Sequence, residues 1–284
     1  TTEIFSMALY SPTRRGCALL VTGGLSGDST VWELDTFTKV RVLEGIHNKR
    51  IRGVSIYDPQ NINTAHAARK KGNPRLTQRV LVVTCSDDKT AAIWDLFDGT
   101  IIRHLSGGHR WSIVSATIIM PTSGSTPYVV TSGWDKFSII WNIETGEQII
   151  KLESDNSSAL TAIQSFVSPQ LHKEYGNNLL ETAEIPFLLT VGFNKIITLW
   201  DGETGNVLRH HIEKHTDIIS CISVFVPPPS EKGLYAITGS YDCTAIIWDL
   251  LTGNPIRILE GHNDWIRSIA IFRISTGKPF FIMA

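Results

Sequence analysis

Tyr241–Leu250 reads Y-D-C-T-A-I-I-W-D-L. An acidic residue opens a turn, an apolar run follows, and the run closes on Trp-Asp. Alone, this is one β-strand. Recurrence gives it weight. D-K-T-A-A-I-W-D stands at Asp88–Asp95, D-K-F-S-I-I-W-N at Asp135–Asn142 and N-K-I-I-T-L-W-D at Asn194–Asp201. In these four copies the turn residue lies six positions before the tryptophan. A weaker fifth copy ends in Trp32-Glu33, with Ser26 at the turn. A motif repeated along a chain describes architecture before it describes chemistry.

Each copy extends on both sides into four strands. In the first, the period-two run Ile4–Tyr10 is followed by Ala18–Thr22, Ser29–Leu34 and Val40–Leu43, each bounded by Gly, Pro, Asp or Thr. That pattern predicts a four-stranded meander. The order recurs over Ile51–Leu105, Ile113–Leu152, Leu160–Ile212 and Ile218–Leu259, and a sixth copy opening at Trp265 supplies two strands. Helical periodicity is confined to Leu179–Glu184. The repeat tryptophans Trp32, Trp94, Trp141, Trp200 and Trp248 are 62, 47, 59 and 48 residues apart. The excess falls between the first and second strands, in insertions at Asp58–Gln78, Pro121–Thr126, Ser168–Ile185 and Pro227–Lys232.

Four-stranded repeats of about 40–45 residues with Trp-Asp closing the third strand are the propeller pattern. With the turn Asp, the Gly-His before the first strand and the Thr-Gly after Trp-Asp (Thr145-Gly146, Thr204-Gly205, Thr252-Gly253), the chain resembles the WD-repeat β-propeller family over essentially its whole length. The resemblance implies an all-β fold, a β-propeller of four-stranded antiparallel blades. It gives one propeller over residues 1–284, with blades near 1–45, 46–107, 108–153, 154–213 and 214–260 and half of a sixth at 261–284. The expectation is a fragment of a seven-bladed or larger ring. The insertions would then all emerge on the bottom face.

The resemblance also implies a buried hydrogen-bond chain in each blade. Its members here are His47, Thr84, Asp88 and Trp94; His109, Thr131, Asp135 and Trp141; and His215, Thr238, Asp242 and Trp248. The residue types suit that role: a carboxylate orients an imidazole, the imidazole meets a hydroxyl, and the hydroxyl accepts from an indole N–H. Asp, His and Thr together suggest a catalytic triad, but a triad occurs once per active site, whereas this set recurs blade by blade. Two blades depart. The fourth has Asn194 and no Gly-His before Leu160, and the first has Ser26. Those blades are expected to rest mainly on packing and to be locally softer.

Composition narrows the function classes. With 42% hydrophobic and 19% charged residues the chain can bury a large core and does not read as disordered. A net charge of −1 gives no global attraction to nucleic acid or anionic membrane. No apolar run approaches the roughly 20 residues that span a bilayer. The chain opens at Thr1 and stops on F-F-I-M-A in mid-strand, which reads as a piece of a longer protein. Cys17, Cys85, Cys221 and Cys243 show no metal-ligand spacing and read as buried, reduced thiols of a cytoplasmic or nuclear protein. His210 and His211 beside His215 are the one histidine cluster, and adjacent strand residues point to opposite faces, so a shared metal site is not expected. No phosphate loop, dinucleotide fingerprint, zinc-protease motif or nucleophile elbow occurs, and neither a cofactor nor a metal is expected.

Function is therefore sought where the repeats differ. In the family, the residue before the turn Asp points up toward the channel rim on the top face. Here it is Leu25, Asp87, Trp134, Phe193 and Tyr241. Positions three and five after the Gly-His histidine also face up, giving Arg50 and Arg52, Ser112 and Val114, Ile218 and Ser220, and Trp265 and Arg267. Trp, Tyr and Arg are enriched at binding hot spots. The expectation is a non-enzymatic scaffold that binds proteins or peptide motifs through Trp134, Phe193, Tyr241 and Trp265, with Arg50, Arg52 and Arg267 favouring acidic groups. One alternative is an enzyme with its site in the channel, for which the first strands offer mostly Ile, Val, Ser, Ala and Thr. Another is a nucleic-acid or phospholipid binder using Ala68–Arg79, where Arg69, Lys70, Lys71, Arg75 and Arg79 stand without an acid or a stacking aromatic.

Overall fold

The computed structural model describes residues 3–12, 16–59, 79–121, 126–153, 158–168, 170–171, 185–211, 214–227, 233–273 and 279–284. The interiors of all four insertions lie outside these residues, as do the basic stretch at 68–78 and the helical stretch Leu179–Glu184. The chain divides into two compact units, Thr1–Glu153 and Ser154–Ala284.

Unit one holds three sheets of four strands. They are β1 (Ile4–Tyr10), β2 (Leu19–Gly24), β3 (Ser29–Glu33) and β4 (Thr38–Leu43); β5 (Ile51–Tyr57), β6 (Leu81–Ser86), β7 (Ala91–Asp95) and β8 (Ile101–Leu105); and β9 (Ile113–Ile119), β10 (Tyr128–Gly133), β11 (Ser138–Asn142) and β12 (Gln148–Leu152). Unit two holds β13 (Leu160–Val167), β14 (Pro186–Gly192), β15 (Ile197–Asp201) and β16 (Val207–His211), then β17 (Ile219–Phe225), β18 (Tyr235–Ser240), β19 (Ala245–Asp249) and β20 (Pro255–Leu259). A two-stranded sheet, β21 (Ile269–Arg273) and β22 (Pro279–Met283), ends it. Every sheet is an antiparallel meander in chain order, so each four-stranded blade is a local product of its own repeat. The strand bounds of the first blade and the outer bounds of the next four agree with the sequence reading to within two residues, but the first strand of the sixth repeat opens at Ile269 and not at Trp265.

Within each unit, the sheets pack face to face and the first strands lie side by side. In unit one, Val21, Val31 and Leu43 of the first blade meet Val82, Ala92 and Trp94 of the second, and Val83 and Ile93 then share a core with Ile118 and Trp141 of the third. In unit two, Leu189 and Leu199 of the fourth blade share a core with Ile222, Ile246 and Trp248 of the fifth. Burying one such aliphatic side chain contributes about 1.5–3 kcal/mol, so the blades cohere through these sandwiched faces. Trp94, Trp141, Trp200 and Trp248 are at most 4% exposed, whereas Trp32 is half-buried and its neighbours Met7 and Leu9 are exposed.

Three local devices repeat. A β-bulge sits at each repeat tryptophan where the third strand pairs the fourth, as at Ile247/Trp248. The residue after the turn acid is left-handed at Lys89, Lys136, Lys195 and Cys243, and in the first blade Gly27 takes that role. The residue after the tryptophan closes the next turn on itself: Asp249 Oδ1 accepts from the N–H of Leu251 at 2.9 Å, and Asp95 and Asp201 accept from the same relative positions. An Asx turn of this kind is what the Asp of Trp-Asp supplies. Asn142 supplies it equally, its Oδ1 accepting from Glu144 N at 2.7 Å. In the first blade Glu33 is one carbon too long, and its carboxylate instead accepts from Thr36 Oγ1 at 2.6 Å.

Candidate functional site

At the Asp-turn ends of the second, third and fifth blades a repeated polar cluster is internal, and a second, variable cluster lies beside it. In the fifth blade, Trp248 Nε1 donates to Thr238 Oγ1 at 2.9 Å, Thr238 Oγ1 lies 2.8 Å from His215 Nε2, and His215 Nδ1 lies 2.9 Å from Asp242 Oδ2. With the carboxylate accepting from Nδ1–H, the hydroxyl proton points to Nε2, so the hydroxyl accepts from the indole and donates to the imidazole. The second blade brings together His47, Thr84, Asp88 and Trp94, and the third His109, Thr131, Asp135 and Trp141, at distances between 2.8 and 3.0 Å. Gly133 is required there, since a Cβ would stand 2.8 Å from His109 Nδ1. All three histidines are buried.

Burial works to raise these three carboxyls and is outweighed by the hydrogen bonds they accept, which hold each below the ordinary aspartate range. The donors are His47 and Thr90 for Asp88, His109 for Asp135, and Thr244, the Thr216 N–H and His215 for Asp242. His215 is held below the usual imidazole value, chiefly by burial, with Asp242 pulling the other way. Thr90 and Thr244 are members the sequence reading did not name. Each donates to its aspartate at 2.6 Å, and the signal was a Thr two residues after the turn Asp. The third blade has Phe137 at that position, with Lys151 Nζ 3.2 Å from its ring centroid.

Both the first and fourth blades have the Trp–Thr link. Trp32 Nε1 donates to Thr22 Oγ1 at 3.0 Å, and Trp200 Nε1 to Thr190 Oγ1 at 2.8 Å.

The variable cluster differs between the units. A common backbone link presents it: the N–H of the residue before the turn acid donates to the carbonyl of the residue three after the histidine. Asp87 thus bonds Arg50, Trp134 bonds Ser112 and Tyr241 bonds Ile218, at 3.0–3.1 Å. In unit one, Asp87 Oδ1 accepts from Arg52 Nε at 2.8 Å and its Oδ2 accepts from Arg50 Nε. Arg52 Cζ lies 4.6 Å from the Trp134 ring centroid, and Arg50 Cζ lies 5.3 Å from that of Phe5. Burial works to raise the Asp87 carboxyl, but hydrogen bonds from Arg52, Arg50 and Ser112 hold it below the ordinary aspartate value. The two arginines are therefore not bare charges, because Asp87 bridges them.

In unit two, Tyr241 and Trp265 stack with centroids 4.2 Å apart and planes 9° from parallel. Arg267 Cζ lies 5.6 Å from the tyrosine and 5.1 Å from the tryptophan centroid. Trp265 is 48% exposed. Phe193 is 43% exposed, and it makes no ring contact with Tyr241 or Trp265 among the described residues. Ser112 and Ile218 are half-buried. Two residues of this end escaped the sequence reading. Phe5 precedes the first turn motif, and Trp111, two positions after His109, is 64% exposed.

All four cysteines are free, but only Cys85 is fully buried, and the expectation of burial fails outright for Cys17, which is exposed. Cys17 lies on the open flank of the first blade, where hydrogen bonding to Glu33 pushes its thiol up to about 11. His210 Nδ1 lies 3.2 Å from Thr198 Oγ1, and the described residues hold no group of three or more His, Cys, Asp or Glu that could bind a metal. No helix among them is long and apolar enough to cross a membrane.

The family described as WD domain, G-beta repeat matches residues 206–249. The chain is 23% identical to mouse (Mus musculus) striatin over 185 residues, which is 65% of this chain and 21% of the striatin. It is 24% identical to human (Homo sapiens) striatin-4 over 64% of this chain and 22% of the relative, and 22% identical to bovine (Bos taurus) striatin-3 over 64% and 21%. The matched region is about a fifth of the length of these relatives.

Proposed function

As a member of the WD-repeat β-propeller family, this chain is, we propose, a non-enzymatic scaffold that binds proteins or peptide segments, mainly through the Asp-turn ends of its blades. The observation that carries this reading is the Tyr241–Trp265 stack with Arg267 alongside. Two large rings held parallel at an exposed blade end offer a rigid apolar platform that loses little side-chain freedom on binding. A guanidinium beside them supplies directional donors. Trp, Tyr and Arg are also the side chains that dominate interface hot spots. The internal His–Thr–Asp sets support a non-catalytic reading, since each carboxylate and imidazole is already spent on its own blade. No cofactor or small-molecule substrate enters this reading. Free cysteines fit a reducing setting, the cytoplasm or nucleus.

The test is partner capture with Trp134→Ala, Phe193→Ala, Tyr241→Ala and Trp265→Ala, each checked for unchanged thermal unfolding. Truncating a hot spot costs about 2 kcal/mol or more, roughly a thirtyfold loss of affinity, and Tyr241→Ala and Trp265→Ala are expected to show it. Full retention of partners by all four variants overturns the assignment.

A further inference from the structure

Arg50 and Arg52 flank the buried Ile51 at the start of β5, so both side chains leave the strand on the same face. Asp87 engages each through Nε alone, one carboxylate oxygen per arginine. A guanidinium has five N–H donors, and an opposing carboxylate ordinarily takes two of them side by side. Here the bridge uses one from each. Among the described residues, Nη1 and Nη2 of both arginines have no hydrogen-bond acceptor. The guanidiniums are also held in orientation, Arg50 against Phe5 and Arg52 against Trp134. Two oriented forks with unused outer edges, joined by a carboxylate that occupies only their inner edges, form an acceptor-binding site.

We infer that the Arg50–Arg52 pair reads a carboxylate of the partner, the side chain of an Asp or Glu in an acidic peptide segment, through the Nη edges beside Trp134. This rests on the peptide-scaffold reading above and names the chemistry of the residue it takes. Charge selects a carboxylate over a phosphoryl group. Two guanidiniums against Asp87 leave a single positive charge, which one carboxylate neutralises. A phosphoryl group carries about −1.5 to −2 and would be set beside the ionised Asp87, so part of its charge would be opposed. Asp87 thereby becomes a positioning residue: it fixes both forks through their Nε atoms and trims their charge to one equivalent.

The experiment titrates the whole chain with a fluorescein-labelled Glu-Leu-Gly repeat peptide, read by anisotropy, against the same peptide with Gln or phosphoserine in place of Glu. Glu is expected to bind at least about tenfold tighter than Gln, as a charge-assisted hydrogen bond would give. Arg52→Lys keeps the charge and loses the fork, and it should lower Glu-peptide affinity about fivefold without changing the Gln peptide. Arg50→Lys should act alike. Equal binding of Glu and Gln peptides, or no binding of either, overturns the inference. Tighter binding of the phosphoserine peptide overturns it in favour of a phosphate reader. An unchanged Arg52→Lys variant overturns the fork geometry. Each of these leaves the scaffold reading standing, because that reading falls only if the four aromatic variants retain their partners.

Discussion

The fourth and fifth blades share one core and one strand plan, yet they are held differently. The fifth carries the full His215–Thr238–Asp242–Trp248 chain, and its second strand, Y-A-I-T-G-S, has Ile237 as its one large aliphatic side chain. The fourth has the Thr190–Trp200 link with Asn194 at the turn and no histidine in the segment before Leu160, and its second strand, P-F-L-L-T-V-G, is buried along its whole length. Phe187 there stacks on Phe166 with centroids 5.8 Å apart. Where the polar chain is short, larger apolar side chains fill the blade. The difference teaches that the repeat needs a filled and satisfied middle layer, and that packing or a buried hydrogen-bond chain can supply it.

The sharpest way to break this comparison is His215→Ala. It removes a buried ring and leaves the Asp242 carboxylate and the Thr238 hydroxyl each short of a partner. A loss of about 3 kcal/mol is expected in chemical denaturation followed by tryptophan fluorescence. A loss below about 1 kcal/mol would mean that the fifth blade, like the fourth, rests on packing.

Acidification comes next. His215 in the folded chain resists protonation until below its unfolded value, and Asp242 likewise stays ionised below its own. Both shifts are downward, so both contributions are complete above about pH 6.5. They are lost as pH falls, the first as the unfolded histidine takes its proton and the second as the unfolded aspartate does. Between pH 7 and 5 the opening free energy of β18 and β19, read by amide exchange, should fall relative to that of β14 and β15. A parallel fall in both blades would remove the assignment to this pair.

The smallest effect is expected from Asn194→Asp. The segment before Leu160 reads S-D-N-S-S-A and holds no histidine to receive the restored carboxylate. The change should stay within about 0.5 kcal/mol in the same denaturation assay. A gain above 1 kcal/mol would show that the fourth blade contains a partner for it.

The polar chain was legible because its members recur at constant offsets: Thr four before the turn residue, Trp six after it, and a His four before the first strand. Constant offsets mean that one repeat contains the whole set, so local spacing suffices. Thr90 and Thr244 obey the same logic, but the third blade breaks the pattern with Phe137. Small apolar residues near strand starts are usually covered, whereas Cys17 is exposed.

The variable cluster was legible as residue types and not as contacts. Tyr241 and Trp265 stand 24 residues apart in different repeats, and Arg52 and Trp134 lie still farther apart in sequence. Repetition by itself determined that the chain forms antiparallel four-stranded blades, where each turn falls and which groups close each blade from within. Packing between repeats sets the rest: Asp87 bridges two arginines, one guanidinium lies on Trp134, and Tyr241–Leu250 begins with a ring stacked on another blade's tryptophan. Spacing along a strand governs neighbours within a sheet, but the phase between sheets is set by how bulged, twisted faces pack against each other.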